Sequence, residues 1–141
     1  INASDKRINK AETSKRTIER HFITDKLSKL YKNNLSDKFF RALDYSNLDK
    51  TNLKLLYKSY IQALVQFQAA NITGSYQKRT NARTQKDMKH LERLEQIERE
   101  IVSLSSQIKK VTQLNEKVQL NIEIQKKRKE ILELKKLLNE H

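Results

Sequence analysis

The stretch LERLEQIEREIVSLSSQIKKV, residues 91–111, decides how this chain is built. Its apolar positions include Leu94, Ile97, Ile101, Leu104, Ile108 and Val111. Their spacing alternates three and four, which places them on one narrow face of an α-helix. In coiled-coil terms Leu94, Ile101 and Ile108 are a positions, and Ile97, Leu104 and Val111 are d positions. The same register continues to Asn115 at a, Val118 at d and Ile122 at a. An Asn at an a position either fixes register and strand number at a cost in stability, or simply tolerates exposure. Further on, the register would bury Gln125 and Lys129, while apolar spacing resumes in another phase at Ile124, Ile131, Leu134 and Leu138. A phase slip near residues 120–124 is therefore expected.

Moving towards the N-terminus, the stripe disappears. Gly74 is the only glycine, and residues 75–90 carry five basic residues against Asp87 alone. Residues 73–90 read as a basic, polar hinge, a kink or an exposed segment, and a continuous helix through them stands as the alternative. Arg79, Arg83 and Lys86 share a helical face there and are candidate contacts for an anionic partner. That partner is either DNA, met through its phosphates without sequence specificity, or an acidic protein surface. The same charges also suit a solvated face. The run Lys126 to Lys129 carries the same alternatives more weakly.

Earlier still, Leu53, Tyr57, Tyr60, Leu64 and Phe67 form the packing face of a helix opened by Asp49 or Thr51. Ser36 and Asp37 are expected to cap a short helix through Phe39, Phe40 and Leu43. A first helix, capped by Thr13 or Ser14, carries Ile18, Phe22, Ile23, Leu27, Leu30 and Tyr31 and stops at Asn33 and Asn34. Residues 1–12 have little apolar content and read as a flexible tail. The expected fold is all-α: a tail over 1–12, an N-terminal helical segment over 13–72, the hinge over 73–90 and a coiled coil over 91–141.

Composition agrees with long helices. Hydrophobic residues are 36% and aromatic residues 6%, against roughly 45–50% apolar content in ordinary domains. There is no proline or cysteine, so disulfide frameworks and cysteine-based zinc sites are excluded. No apolar run approaches the ~18 residues of a membrane span. His21, His90 and His141 stand apart, with no HExxH spacing and no phosphate-cradling glycine loop nearby. No catalytic residue, metal ligand or cofactor is expected. A long one-sided stripe without an evident intrachain counterpart points to a hetero-oligomer with at least one different coiled-coil chain. The formal net charge of +13 adds non-specific DNA contact as a candidate.

The order of parts resembles the centromere protein U family of inner-kinetochore subunits. The likeness lies in the aromatic-rich helix from Leu53 to Phe67, the element Lys78, Arg79, Thr80, Asn81, and the coiled-coil start LEQIEREI from Leu94. It spans about residues 48–138. The resemblance implies a parallel coiled coil with a centromere protein Q partner, a nuclear location and a structural role without catalysis. Two other readings stand beside it. One is a basic, helical nucleic-acid-binding module. The other is a tethering or cytoskeletal coiled coil.

Overall fold

The computed structural model describes residues 1–8, 10–11, 14–24, 27 and 33–140. Among them are strands β1 (Asn2–Ile8) and β2 (Arg16–Ile23), and helices α1 (Asn34–Ala42), α2 (Leu53–Thr73), α3 (Asn81–Lys110) and α4 (Leu114–Asn139), with a single 3-10 turn at Tyr45–Asn47. The chain is mostly helical, with a small β-hairpin at its start. It divides into two compact units, Ile1–Thr84 and Gln85–His141.

The hairpin corrects two expectations: the flexible tail over 1–12 and the helix through Ile18 and Phe22. β1 and β2 pair antiparallel, with Ala3 opposite Phe22 and both buried. Asp5 pairs with Arg20 and Lys6 with Ile18, so Glu19 is the extra residue of a bulge. The physical reason is a degeneracy of period. A spacing of four, as from Ile18 to Phe22, is about one helical turn and also two strand repeats. Ile23 is 59% exposed because alternation buries Phe22 and turns its neighbour outward, and Ile18, on the far side of the bulge where the alternation changes phase, is 45% exposed. Thr13, Leu30 and Tyr31, assigned to the same helix, lie outside the described residues.

α1 begins earlier than its expected caps. Asn33 is the N-cap: its Oδ1 accepts from the Ser36 backbone N–H at 2.7 Å, and the Ser36 Oγ accepts from the Asn33 N–H at 3.2 Å. This reciprocal capping box makes Ser36 the third helical residue. α2 likewise starts from Asn52, whose side chain accepts from the Leu55 N–H at 2.9 Å. Asp49 instead closes a turn by accepting from the Thr51 N–H. α2 ends at Gly74, which adopts φ +78° and donates to the Ala70 carbonyl. Only glycine takes that left-handed conformation without strain.

The core of the first unit surrounds the second half of α2. Leu64 and Phe67 are buried, and the Phe67 ring stacks on Phe39 of α1 at 4.3 Å between centroids. Phe22 closes the core from the hairpin side, where α2 packs on β2. Tyr60 is half-buried. Tyr57 is largely outside the apolar core, but its hydroxyl accepts from the Ser4 N–H and donates to the Ser4 carbonyl at 2.9 and 2.7 Å. It pins β1 to α2. Leu53, expected in the same face, is 81% exposed, since it sits in the first turn before α2 meets its neighbours.

Candidate functional site

The second unit is a helical hairpin, and its surface is the candidate site. α3 runs through the predicted hinge. Its first turn is held by the Thr80 Oγ1, which accepts from the Arg83 N–H at 3.2 Å. The interruption therefore covers residues 74–80 rather than 73–90. Arg79 consequently precedes the helix, while Arg83 and Lys86 lie on it. The three do not share one helical face, and Lys86 belongs to the second unit while Arg79 and Arg83 belong to the first. The Arg79 carbonyl accepts from the Gln62 and Gln66 side-chain amides at 2.8 and 3.3 Å, which ties the segment to α2.

On α3, Leu94, Ile97 and Leu104 are buried and Ile101 and Ile108 half-buried, so the predicted seam is the buried face of that helix. It does not continue as one rod. The helix stops at Lys110 and restarts at Leu114, with Val111, Thr112 and Gln113 forming the turn. Lys109 and Lys110 in the last turn of α3 suit its negative dipole end. α4 then returns antiparallel beside α3. Arg93 grips Glu130 through Nε and Nη2 at 2.8 and 3.2 Å, and Lys127 donates to Glu100 at 2.5 Å. As the position on α3 rises, its partner on α4 falls.

The reversal resets which face of α4 is inside. Ile124, Leu134 and Leu138 are buried, with Leu120 and Ile131 half-buried beside them. Asn115 and Val118, extrapolated from the α3 register, are exposed instead, as is Ile122 at 51%. Asn115 is in the first turn of α4 and buries no register-setting amide. Val111 is half-buried in the turn. Gln125 and Lys129 are exposed, which removes the penalty their burial would carry. Within the basic run, Lys127 lays its stem inward with its ammonium on Glu100, while Lys126, Arg128 and Lys129 face outward.

This arrangement leaves Leu114, Val118 and Ile122 as an exposed apolar stripe at spacing four on α4. A shallow groove of about 400 Å3 lies along it, bounded by Val118, Asn121, Ile122, Gln125, Lys126 and Lys129. Two cations and no carboxylate line the groove. Neither lysine is ion-paired among the described residues. Sequence reasoning named Val118 for a different reason and passed over Leu114; the exposed stripe is found only once the turn is known.

Among the described residues no three His, Cys, Asp or Glu side chains gather as a metal site, and no helix is long and apolar enough to cross a membrane. A family model described as "Domain of unknown function (DUF4391)" matches residues 1–131. No curated protein and no solved structure matches the chain.

Proposed function

We propose that this chain, which belongs to the DUF4391 family of domains of unknown function, is a non-enzymatic assembly subunit whose α3–α4 hairpin docks a helix of a different protein. In this reading α3 and α4 are two strands of an antiparallel coiled coil, and the partner supplies a third. The observation that carries it is the exposed stripe Leu114, Val118, Ile122 on α4. Val118 and Ile122 are each about half exposed, so covering them would recover roughly half of the ~1.5–3 kcal/mol that full burial of such a side chain contributes.

Charge selects the occupant. Lys126 and Lys129 border the groove without an acidic neighbour in its lining. A second copy docked groove to groove would bring the same two lysines and no carboxylate from its lining. A helix flanked by Asp or Glu complements them. The resemblance to the centromere protein U family, in the helix from Leu53 to Phe67, the element Lys78, Arg79, Thr80, Asn81 and the run from Leu94, supports an inner-kinetochore setting for that assembly.

The test is a photo-crosslinking residue placed at Gln125 in the full chain, expressed in its native cells, with the product identified by mass spectrometry. The expected adduct is an acidic amphipathic segment of a different protein, lost in Val118→Glu/Ile122→Glu. Adducts only to other copies of this chain, or adducts unchanged in the double variant, would sink the reading. A second reading, contact with nucleic-acid phosphates, is favoured by the +13 charge. It calls for DNA affinity that falls steeply with salt.

A further inference from the structure

A separate site lies in the first unit. A cleft of about 640 Å3 opens there, between α1, α2 and the segment that follows α2. Lys38 and Arg41 enter it from α1. They are three residues apart, so one helical face presents both. Lys78 enters from the segment after α2. All three are exposed, and none is ion-paired among the described residues. The one carboxylate in the lining is Asp49, held below the usual carboxylate range by hydrogen bonds from the Thr51 side chain and backbone. It is ionised, and the cleft still has two positive charges in excess. Like charges turned into one space repel each other, and an anion placed between them removes that repulsion.

The opposite wall is polar but neutral, and it is held in place. Gln62 and Gln66 both donate to the Arg79 carbonyl, one residue beyond Lys78. The Tyr76 hydroxyl donates to Gln66 Oε1 at 3.4 Å. Burial pushes the Tyr76 phenol up to about 12, so it adds no negative charge near neutral pH. These bonds fix the segment that carries Lys78 against α2. Ala42, Leu48 and Ala63 supply apolar lining between the charged rim and this wall. The volume falls in the range of roughly 300–1,000 Å3 typical of small-molecule sites. A bare phosphate would leave most of it empty.

We propose that this cleft binds a nucleotide, with its phosphate held by Lys38, Arg41 and Lys78 and its base lying over the apolar lining beside Tyr76. The nucleotide is either free or one unit of a single strand, since both present the same phosphate and base. The site is independent of the α4 groove.

Isothermal titration of the full chain with adenosine monophosphate, and separately with an eight-residue oligoadenylate, tests this. Saturable binding at one site per chain is expected. Arg41→Ala/Lys78→Ala should weaken it at least tenfold, and Lys135→Ala, on α4, should leave it unchanged. Equal affinity per site for both ligands identifies a mononucleotide site. Markedly tighter binding of the oligomer, with a salt slope that falls by roughly one per lost phosphate contact in the double variant, identifies a strand. No binding of either ligand overturns the proposal. So does wild-type binding by the cleft variant, which would assign the affinity to the overall positive charge. If the double variant loses its helical circular dichroism, Lys38→Gln, which keeps a polar side chain of similar length, decides in its place.

Discussion

Ile97→Ala and Val118→Ala place a similar truncation at two positions that a single heptad register treats as equivalent. In the folded chain they differ completely. Ile97 is 0% exposed in the seam between α3 and α4, while Val118 is 49% exposed on the outer side of α4. Emptying a fully buried Ile costs about 2–5 kcal/mol, the spread reflecting how far the surroundings collapse. A half-exposed Val on a helix surface costs about 0.5 kcal/mol or less, and the better helix propensity of Ala offsets part of that. For a unit of this size 1 kcal/mol moves the melting midpoint by roughly 4–8 °C, so Ile97→Ala should lower the melting of the hairpin by about 10 °C or more. Val118→Ala should move it by no more than a few degrees. The assay is the 222 nm circular dichroism melt of the full chain at several protein concentrations. Equal losses in the two variants would refute the chain reversal, because both positions would then lie in one seam. A midpoint that rises with concentration for the isolated chain would point the same way.

Phe39→Ala removes the ring stacked on Phe67 and should cost the first unit about 3–5 kcal/mol, read as earlier loss of the near-ultraviolet aromatic signal while the melting of α3 and α4 holds. Gly74→Ala meets no atom within 4 Å of the new Cβ but must keep φ at +78°; a loss of about 1 kcal/mol is expected in denaturant titration, and Gly74→Asn should lose less. The Glu100 carboxyl is held below its ordinary 4.5, first by the hydrogen bond from Lys127. Its folded pKa is depressed, so its contribution is complete above about 4.5 and disappears as pH falls through the lowered value. Glu100→Gln should therefore remove part of the acid-induced loss of helix in that window, and identical acid titration curves for the two proteins would count against the Lys127 contact.

The helices of the second unit were legible in the residues themselves. Leu94, Ile97 and Leu104 recur at helical spacing without Gly or Pro, and only an α-helix gathers that pattern on one face. The end of α2 at Gly74 has a local cause, a left-handed residue that closes the helix wherever its neighbours lie, but a lone glycine in the sequence is equally compatible with a kink or a helix running through it. The boundaries at Asn33 and Asn52 were harder to place because Ser36, Asp37, Asp49 and Thr51 offer caps of similar quality within a few residues. The β-hairpin was hidden by the shared period of Ile18 and Phe22, and by a connection between the strands that lacks glycine.

What sequence could not supply was the partner of each stripe. Residues 91–111 specify that one helical face seeks cover, and they specify it equally for another chain, a parallel copy or the returning α4. Val111, Thr112 and Gln113 carry no breaker that compels a turn. The reversal follows from tertiary pairing: with α4 folded back, Arg93 meets Glu130, Lys127 meets Glu100, and Ile124, Leu134 and Leu138 become the buried face. The same pairing turns Asn115, Val118 and Ile122 outward. Local spacing fixes which residues share a face. Which face is inside depends on contacts between positions some 30 residues apart, and those form only when the chain closes on itself.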